Sequence, residues 1–147
     1  MIEFGATEPG LVYRDRPCAF GIVVRDNRIA CVRVERGPRS YHDLPGGAID
    51  GEETEEQALA REFIEETGLT VRGVTRLGEA AQRYRKSDGE PVRNLAGFWT
   101  ADLVSENPSA KVEDDHTLEW LEPLHAIASL RHEAHAWAVL RWLRARA

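Results

Sequence analysis

Glu62, Glu65 and Glu66 stand at i, i+3 and i+4 within a stretch, Thr54 to Thr67, that reads as a helix. At about 100° per residue, with Glu62 at zero, Glu65 falls near 300° and Glu66 near 40°. The three carboxylates therefore share a face about 100° wide. Leu59, Phe63, Ala60 and Ile64 fall at about 60°, 100°, 160° and 200°, so the apolar stripe is displaced from the acidic face. One side of such a helix can pack on a sheet while the other presents carboxylates. Three like charges at this spacing repel and weaken an isolated helix. A divalent cation removes the repulsion, and hard oxygen ligands suit Mg²⁺ or Mn²⁺. Taken alone, E-x-x-E-E also fits a solvated acidic face with no ligand.

The neighbouring residues decide between these readings. From Gly47 the chain runs GAIDGEETEEQALAREFIEETGL. This is glycine, five residues, Glu53, seven residues, Arg61-Glu62-Phe63, one residue, Glu65-Glu66, one residue, Gly68-Leu69. The pattern resembles the Nudix box, the signature of the Nudix hydrolase family, at every specified position. At average residue frequencies a chance match in a chain this long is on the order of 10⁻⁷. Phe63 replaces the more usual aliphatic residue, on the packing face, and disturbs no ligand.

The resemblance implies an α/β fold, a Nudix-type α/β/α sandwich with a mixed sheet, in which the box forms a loop–helix–loop. It implies Glu62, Glu65 and Glu66 as metal ligands, with the Gly47 carbonyl beside them. Glu53 supports the loop or contributes to metal binding, Arg61 orients a box glutamate, and Gly68 turns the chain at positive φ. The implied reaction is hydrolysis of a nucleoside diphosphate linked to another moiety X, giving a nucleotide and phosphate-X. The implied cofactor is Mg²⁺, with Mn²⁺ an alternative, because metal neutralises phosphate oxygens and lowers the pKa of a bound water. The general base varies within the family. The candidates are Glu65 and Glu66 in the box, and Glu113, Asp114, Asp115 and Glu119 outside it.

Substrate contacts are less specified. Tyr84, Arg83 and Trp99 are candidates to meet the nucleotide. Tyr84 lies 16 residues after Gly68, close to a tyrosine associated with dinucleoside polyphosphate hydrolases in the family. The proline that marks many ADP-ribose hydrolases is absent, since the next one is Pro91. Nucleoside triphosphates and dinucleoside polyphosphates are the substrates carried forward. Two alternatives stand beside them: a non-catalytic Nudix nucleotide sensor or scaffold, and an RNA cap hydrolase.

The elements that must position these residues follow from pattern. Residues 17–25 and 28–35 are apolar and β-branched around Asp26-Asn27, which predicts a hairpin. A short extended piece follows at 41–44, before Pro45-Gly46-Gly47. Thr54 can cap the acidic helix and Gly68 ends it. Residues 70–85 and 93–104 predict long strands flanking Ser87-Asp88-Gly89-Glu90. A polar loop at 106–116 holds Glu113-Asp114-Asp115, a short strand follows near 117–121, and a helix closes the chain at about 130–145. On that helix Ala136, Val139, Leu140 and Leu143 share a side. Tight turns between strands predict a mixed sheet.

The 147 residues suit one domain, with a core over about 12–146. Net charge is −6, which argues against a long nucleic-acid partner, although 17 of the 19 basic residues are arginine, the side chain suited to phosphate forks. No apolar run approaches the roughly 20 residues of a membrane span. The first fifteen residues lack a signal-peptide pattern. Cys18 and Cys31 read as small buried hydrophobes in a reducing, cytoplasmic setting. A homodimer is compatible with all of this. His132 and His135 are three apart, not the four of H-E-x-x-H, and read as packing or surface residues. Phe98 and Trp99 point to opposite sides of a strand, so one of them belongs to the core.

Overall fold

The computed structural model describes residues 1–146. Its elements run β1 (Ile2–Phe4), β2 (Arg14–Arg25), β3 (Arg28–Arg36), β4 (Arg39–Asp43), β5 (Gly46–Ala48), α1 (Glu55–Thr67), β6 (Leu69–Arg85), β7 (Pro91–Glu106), β8 (His116–Leu121), α2 (Pro123–Ser129) and α3 (Glu133–Arg146). The β2–β3 hairpin turns at Asp26 and Asn27, with φ of 51° and 62°. Two consecutive positive φ angles match the right-handed twist of the flanking strands.

The sheet order is β1-β6-β7-β2-β3-β4, with β5 on β2 and β8 on β3. β1 pairs with β6 and β2 with β7 in parallel, whereas β6 with β7 and β3 with its three neighbours are antiparallel. The sheet is mixed, as the tight turns require. Alternation along β2 then sorts the core into two layers. Cys18, Phe20 and Ile22 join Phe98, Ala138 and Trp142 on the α3 side. Ala19 and Val23 join Leu59 and Phe63 on the α1 side. Both faces are covered by helices, which gives an α/β/α sandwich. Burying each large side chain contributes about 1.5–3 kcal/mol. Gly21 allows α1 to close in, since a Cβ there would lie 3.0 Å from both Leu59 and Phe63.

Both ends of α1 match their sequence signals. The Thr54 side chain accepts from the Gln57 N–H, and the Gln57 side chain accepts from the Thr54 N–H. Gly68 closes the helix at φ 75°, and its N–H donates to the Ile64 carbonyl.

The C-terminal region differs from the expectation of one helix over 130–145. α2 stops where Leu130 turns extended, and α3 restarts at Glu133. Its buried residues are Ala134, His135, Ala138, Val139 and Trp142, while Leu140 is 48% exposed. The small residues Ala134 and Ala138 let α3 sit close to the sheet, so the packing face is set by them rather than by the leucines. Strands β1 and β5, three residues each, also lack a sequence signal. Both thiols are buried and unpaired, and burial pushes Cys18 up to about 11 and Cys31 to about 12. No helix among the described residues is long and apolar enough to cross a membrane.

Candidate active site

β5 is too short to stabilise much by itself, yet it brings two glycines against the acidic face of α1. The Gly46 N–H donates to Glu66 Oε1 at 3.0 Å. A Cβ on Gly47 would lie 2.8 Å from Cδ of Glu62, so only glycine lets the backbone approach that carboxylate. Gly46 has φ 143°, and a Cβ there would strike the Ala19 carbonyl at 2.1 Å. The Pro-Gly-Gly turn is thus required twice over, for conformation and for space.

Arg61 organises the other side of the site. Its Nε and Nη2 donate to Glu53 at 2.8 and 2.9 Å. Nη2 also donates to the Ala48 carbonyl at 3.0 Å, and Nη1 to Glu62 Oε1 at 3.0 Å and Glu65 Oε2 at 3.3 Å. One planar guanidinium therefore ties the loop before α1 to the acidic face. Its hydrogen bonds hold Glu53 down to about 2, helped by the Asp50 N–H, and Glu53 in turn raises Arg61 above its usual range.

Glu66 is only 8% exposed, and its Oε2 lies 3.2 Å from His116 Nε2. His116 Nδ1 lies 2.7 Å from Asp115 Oδ1, and Asp115 pairs with Arg36. Burial raises the Glu66 pKa, offset in part by the His116 and Gly46 hydrogen bonds. Burial also raises Glu62, and the neighbouring Glu66 adds to it, outweighing Arg61 and bringing it to about 7. Two carboxylates are thus held where neither is comfortable as an anion without a cation.

Both face a cleft of about 270 Å³, also lined by Gly47, Glu113 and His116 and by the basic residues Arg16, Lys86 and Arg131. The donor set fits a hard divalent cation: one buried and one partly buried carboxylate, a backbone glycine pressed against the latter, and no soft ligand. Oxygen and nitrogen atoms of Glu113, Asp115 and His116 also lie within 4.8 Å of one another at the rim.

The structure sorts the remaining candidates. Glu65 does not line the cleft; its side chain turns to Arg61, and its carbonyl accepts the Val112 and Glu113 N–H groups at 2.9 and 3.0 Å. Those bonds bring Glu113 to the cleft. Glu53 stays in the loop, held by Arg61. Asp114 lines a separate depression beneath the end of α1. Asp115 is committed to His116 and Arg36. Glu119 pairs with His42 at 2.7 Å and Arg33 at 3.3 Å on β8, away from the cleft.

Two of the three expected nucleotide contacts lie elsewhere. Trp99 packs on the α1 side of the sheet, where its Nε1 donates to Glu55 at 2.8 Å. Arg83 is paired with Glu3. Tyr84 does line the cleft, but its ring packs against His132 at 4.4 Å and under the Arg131 guanidinium at 5.3 Å. It offers an edge and a hydroxyl, not a free stacking face. Phe98 is the fully buried member of the Phe98-Trp99 pair. His116 and Arg131 had no sequence signal, because each acts through partners distant along the chain.

A NUDIX domain model matches residues 15–143, and the chain belongs to that family. An ADP-ribose pyrophosphatase of Methanocaldococcus jannaschii is 36% identical over 72 residues, covering 48% of this chain and 40% of that protein. The match thus spans less than half the length of that relative. A NUDIX hydrolase from Nitrosomonas europaea superposes with a TM-score of 0.75 at 20% identity, over 90% of both chains. A MutT protein from Methanosarcina mazei Go1 gives 0.72 at 19% identity, over 93% of this chain and 99% of that one. At these identities the structural likenesses speak for the fold alone.

Proposed function

We propose that the chain is a cytoplasmic, Mg²⁺- or Mn²⁺-dependent hydrolase of pyrophosphate linkages in small nucleotides. The observation that carries this reading is the pair Glu62 and Glu66 facing one cleft, both with pKa values pushed up by burial despite the Arg61 and His116 contacts. Family membership and the pyrophosphatase name of one relative support it.

Glu62 and Glu66, with the Gly47 carbonyl beside them, would hold the metal, while Glu65, paired with Arg61 outside the cleft, would join only by turning its side chain. Bound metal would neutralise phosphate oxygens and acidify a water. Arg61 fixes the Glu62 carboxylate, while the Gly46 N–H and His116 fix Glu66, so the oxygens meet their ligand already oriented. Glu113 is the proton acceptor favoured by position, since it alone of the four outer carboxylates lines the cleft. Water oxygen bonds to phosphorus, the bridging P–O bond breaks, and its electron pair departs with phosphate-X. The test is product release over a panel of nucleotides with Mg²⁺ and Mn²⁺ in parallel. Turnover of at least one nucleotide that stops in chelator is the expected outcome; none with either metal contradicts the proposal.

A further inference from the structure

Beside the catalytic cleft lies a second, larger cavity of about 970 Å³. The two share a wall made by Arg36, Tyr41, Tyr84, Ser87, Arg131 and His132. Small-molecule sites usually span about 300–1,000 Å³. The cleft alone, at about 270 Å³, falls below that range, and the two together exceed it. A nucleotide with its scissile linkage at Glu62 and Glu66 therefore has room to continue into the groove.

The groove differs from the cleft in charge. Four arginines line it, Arg36, Arg39, Arg85 and Arg131, and no carboxylate does. Three of them are steadied from outside: Arg36 by Asp115, Arg85 by Glu8 at 2.8 Å and Arg131 by Asp43 at 2.7 Å. A guanidinium has five N–H donors, and a bidentate pair uses two. Arg131 is further fixed by stacking 3.7 Å over the Tyr41 ring. Arg39 has no ion-pair partner among the described residues. N–H donors left over from those pairs, together with the uncompensated charge of Arg39, suit phosphate oxygens. The groove does not suit a base, because the facing surfaces of Tyr41 and Tyr84 are already taken by Arg131 and His132.

We infer that this groove is a phosphate subsite, and that the substrate carries further phosphate beyond the bond that breaks. Resting on the hydrolase reading above, this makes X a phosphate chain, as in a nucleoside triphosphate or longer polyphosphate, rather than a neutral sugar. Hydrolysis of a triphosphate next to its first phosphate adds water oxygen there. Pyrophosphate leaves with the bridging oxygen and its electron pair, and releases into solution.

The experiment has two arms. In chelator, inorganic tripolyphosphate is titrated calorimetrically into wild type, Arg39→Gln/Arg85→Gln, and the control Arg72→Gln, an exposed arginine outside both cavities. Wild type and control should bind alike, the double variant at least tenfold more weakly, and binding should fall with added salt. In the second arm ATP and ADP-ribose, identical through the second phosphate, are compared with Mg²⁺. kcat/KM should favour ATP at least tenfold, and the double variant should shrink that ratio mainly through KM for ATP. No binding of tripolyphosphate, equal binding by the double variant, or a preference for ADP-ribose overturns the subsite. Tighter binding of 5′-capped RNA, with a steep salt slope, also overturns it. Absence of turnover on both nucleotides counts against the hydrolase reading, while the binding arm still reads the groove.

Discussion

Helix α1 and the start of α3 lie on opposite faces of the sheet, and each buries ionisable side chains. On α1 these are the buried Glu66 and the partly buried Glu62, pushed up by burial and proximity while open to a cleft. On α3 it is His135, pushed down by burial to about 4 and lining neither cavity; His132, just before the helix and pushed down to about 3, lines the cleft wall. His135 is enclosed by the Phe20 and Phe98 rings at 4.4 and 5.6 Å, and its Nδ1 accepts the Leu44 N–H at 3.1 Å. His135 escapes the penalty of burial by staying neutral. The carboxylates can escape it the same way or by taking a cation from the cleft. A buried titratable group signals chemistry only when a ligand can reach it, which separates a functional helix face from a packing one.

The largest expected effect is on the packing side. His135→Ala leaves a cavity and an unpaired Leu44 N–H, and should destabilise by about 3 kcal/mol in urea melts. Because His135 does not line the cleft, the folded variant should keep kcat within a few-fold. On the functional side, Glu66→Gln keeps shape and removes charge. Its kcat should fall at least 10²-fold, about 2.7 kcal/mol of transition-state stabilisation, with little loss of stability. If His135→Ala abolished turnover while folded, or Glu66→Gln left it intact, the contrast between the two faces would fail.

The pH response sharpens the contrast, because the two faces act with opposite sign. His135 titrates at about 4 when folded, below its unfolded value near 6.5. The unfolded chain therefore binds more protons in that window, and stability is lost as pH falls from 6.5 toward 4. His132 acts the same way, while the charges facing the pair, Asp43 and Arg131, oppose and reinforce the shift respectively. In chelator Glu62 works in reverse: its folded value near 7 exceeds its unfolded one, so stability is lost as pH rises from about 4.5 to 7. Each group contributes up to about 1.4 kcal/mol per pH unit. Wild type in chelator should thus show a shallow profile by thermal melting. Glu62→Gln should become steeper, losing stability toward acid, and His135→Gln should tilt the other way. Identical profiles for all three would refute the opposed signs.

The smallest effect concerns repulsion on α1. In chelator, Glu62→Gln/Glu66→Gln should melt above wild type by about 1 kcal/mol, or roughly 2–4 °C for a domain of this size. Millimolar Mg²⁺ should reverse the order, since binding at a hundredfold excess over Kd stabilises wild type by about 2.7 kcal/mol. An unchanged order with and without Mg²⁺ would contradict the repulsion.

What could be read from sequence follows the range of the interactions. The box, the caps of α1 and the Asp26-Asn27 turn depend on residues a few positions apart, so spacing reveals them. Glu66 meeting His116, or Arg131 reaching Tyr41 and Asp43, depends on how the sheet closes, which no local pattern encodes. Residue type alone suggests Trp99 and Arg83 as nucleotide contacts. Which face of the sheet each takes depends on the register shifts of β6 against β7 near Gly73 and Gly78, and alternation cannot be counted through unseen bulges. The α3 face departs from its apolar pattern for a related reason. Large apolar residues suggested Leu140, whereas Ala134 and Ala138 set the closest approach to the sheet.

The most direct test of the central claim measures metal and turnover together. Mn²⁺ is titrated into wild type and Glu62→Gln/Glu66→Gln with a nucleoside triphosphate present, with free Mn²⁺ followed by electron paramagnetic resonance and product release followed in the same samples. The account expects wild type to bind Mn²⁺ saturably, with turnover rising along the same curve, and the variant to lose that binding and at least 10²-fold of the rate. Equal Mn²⁺ uptake by both proteins, or turnover that proceeds undiminished in chelator, would contradict it.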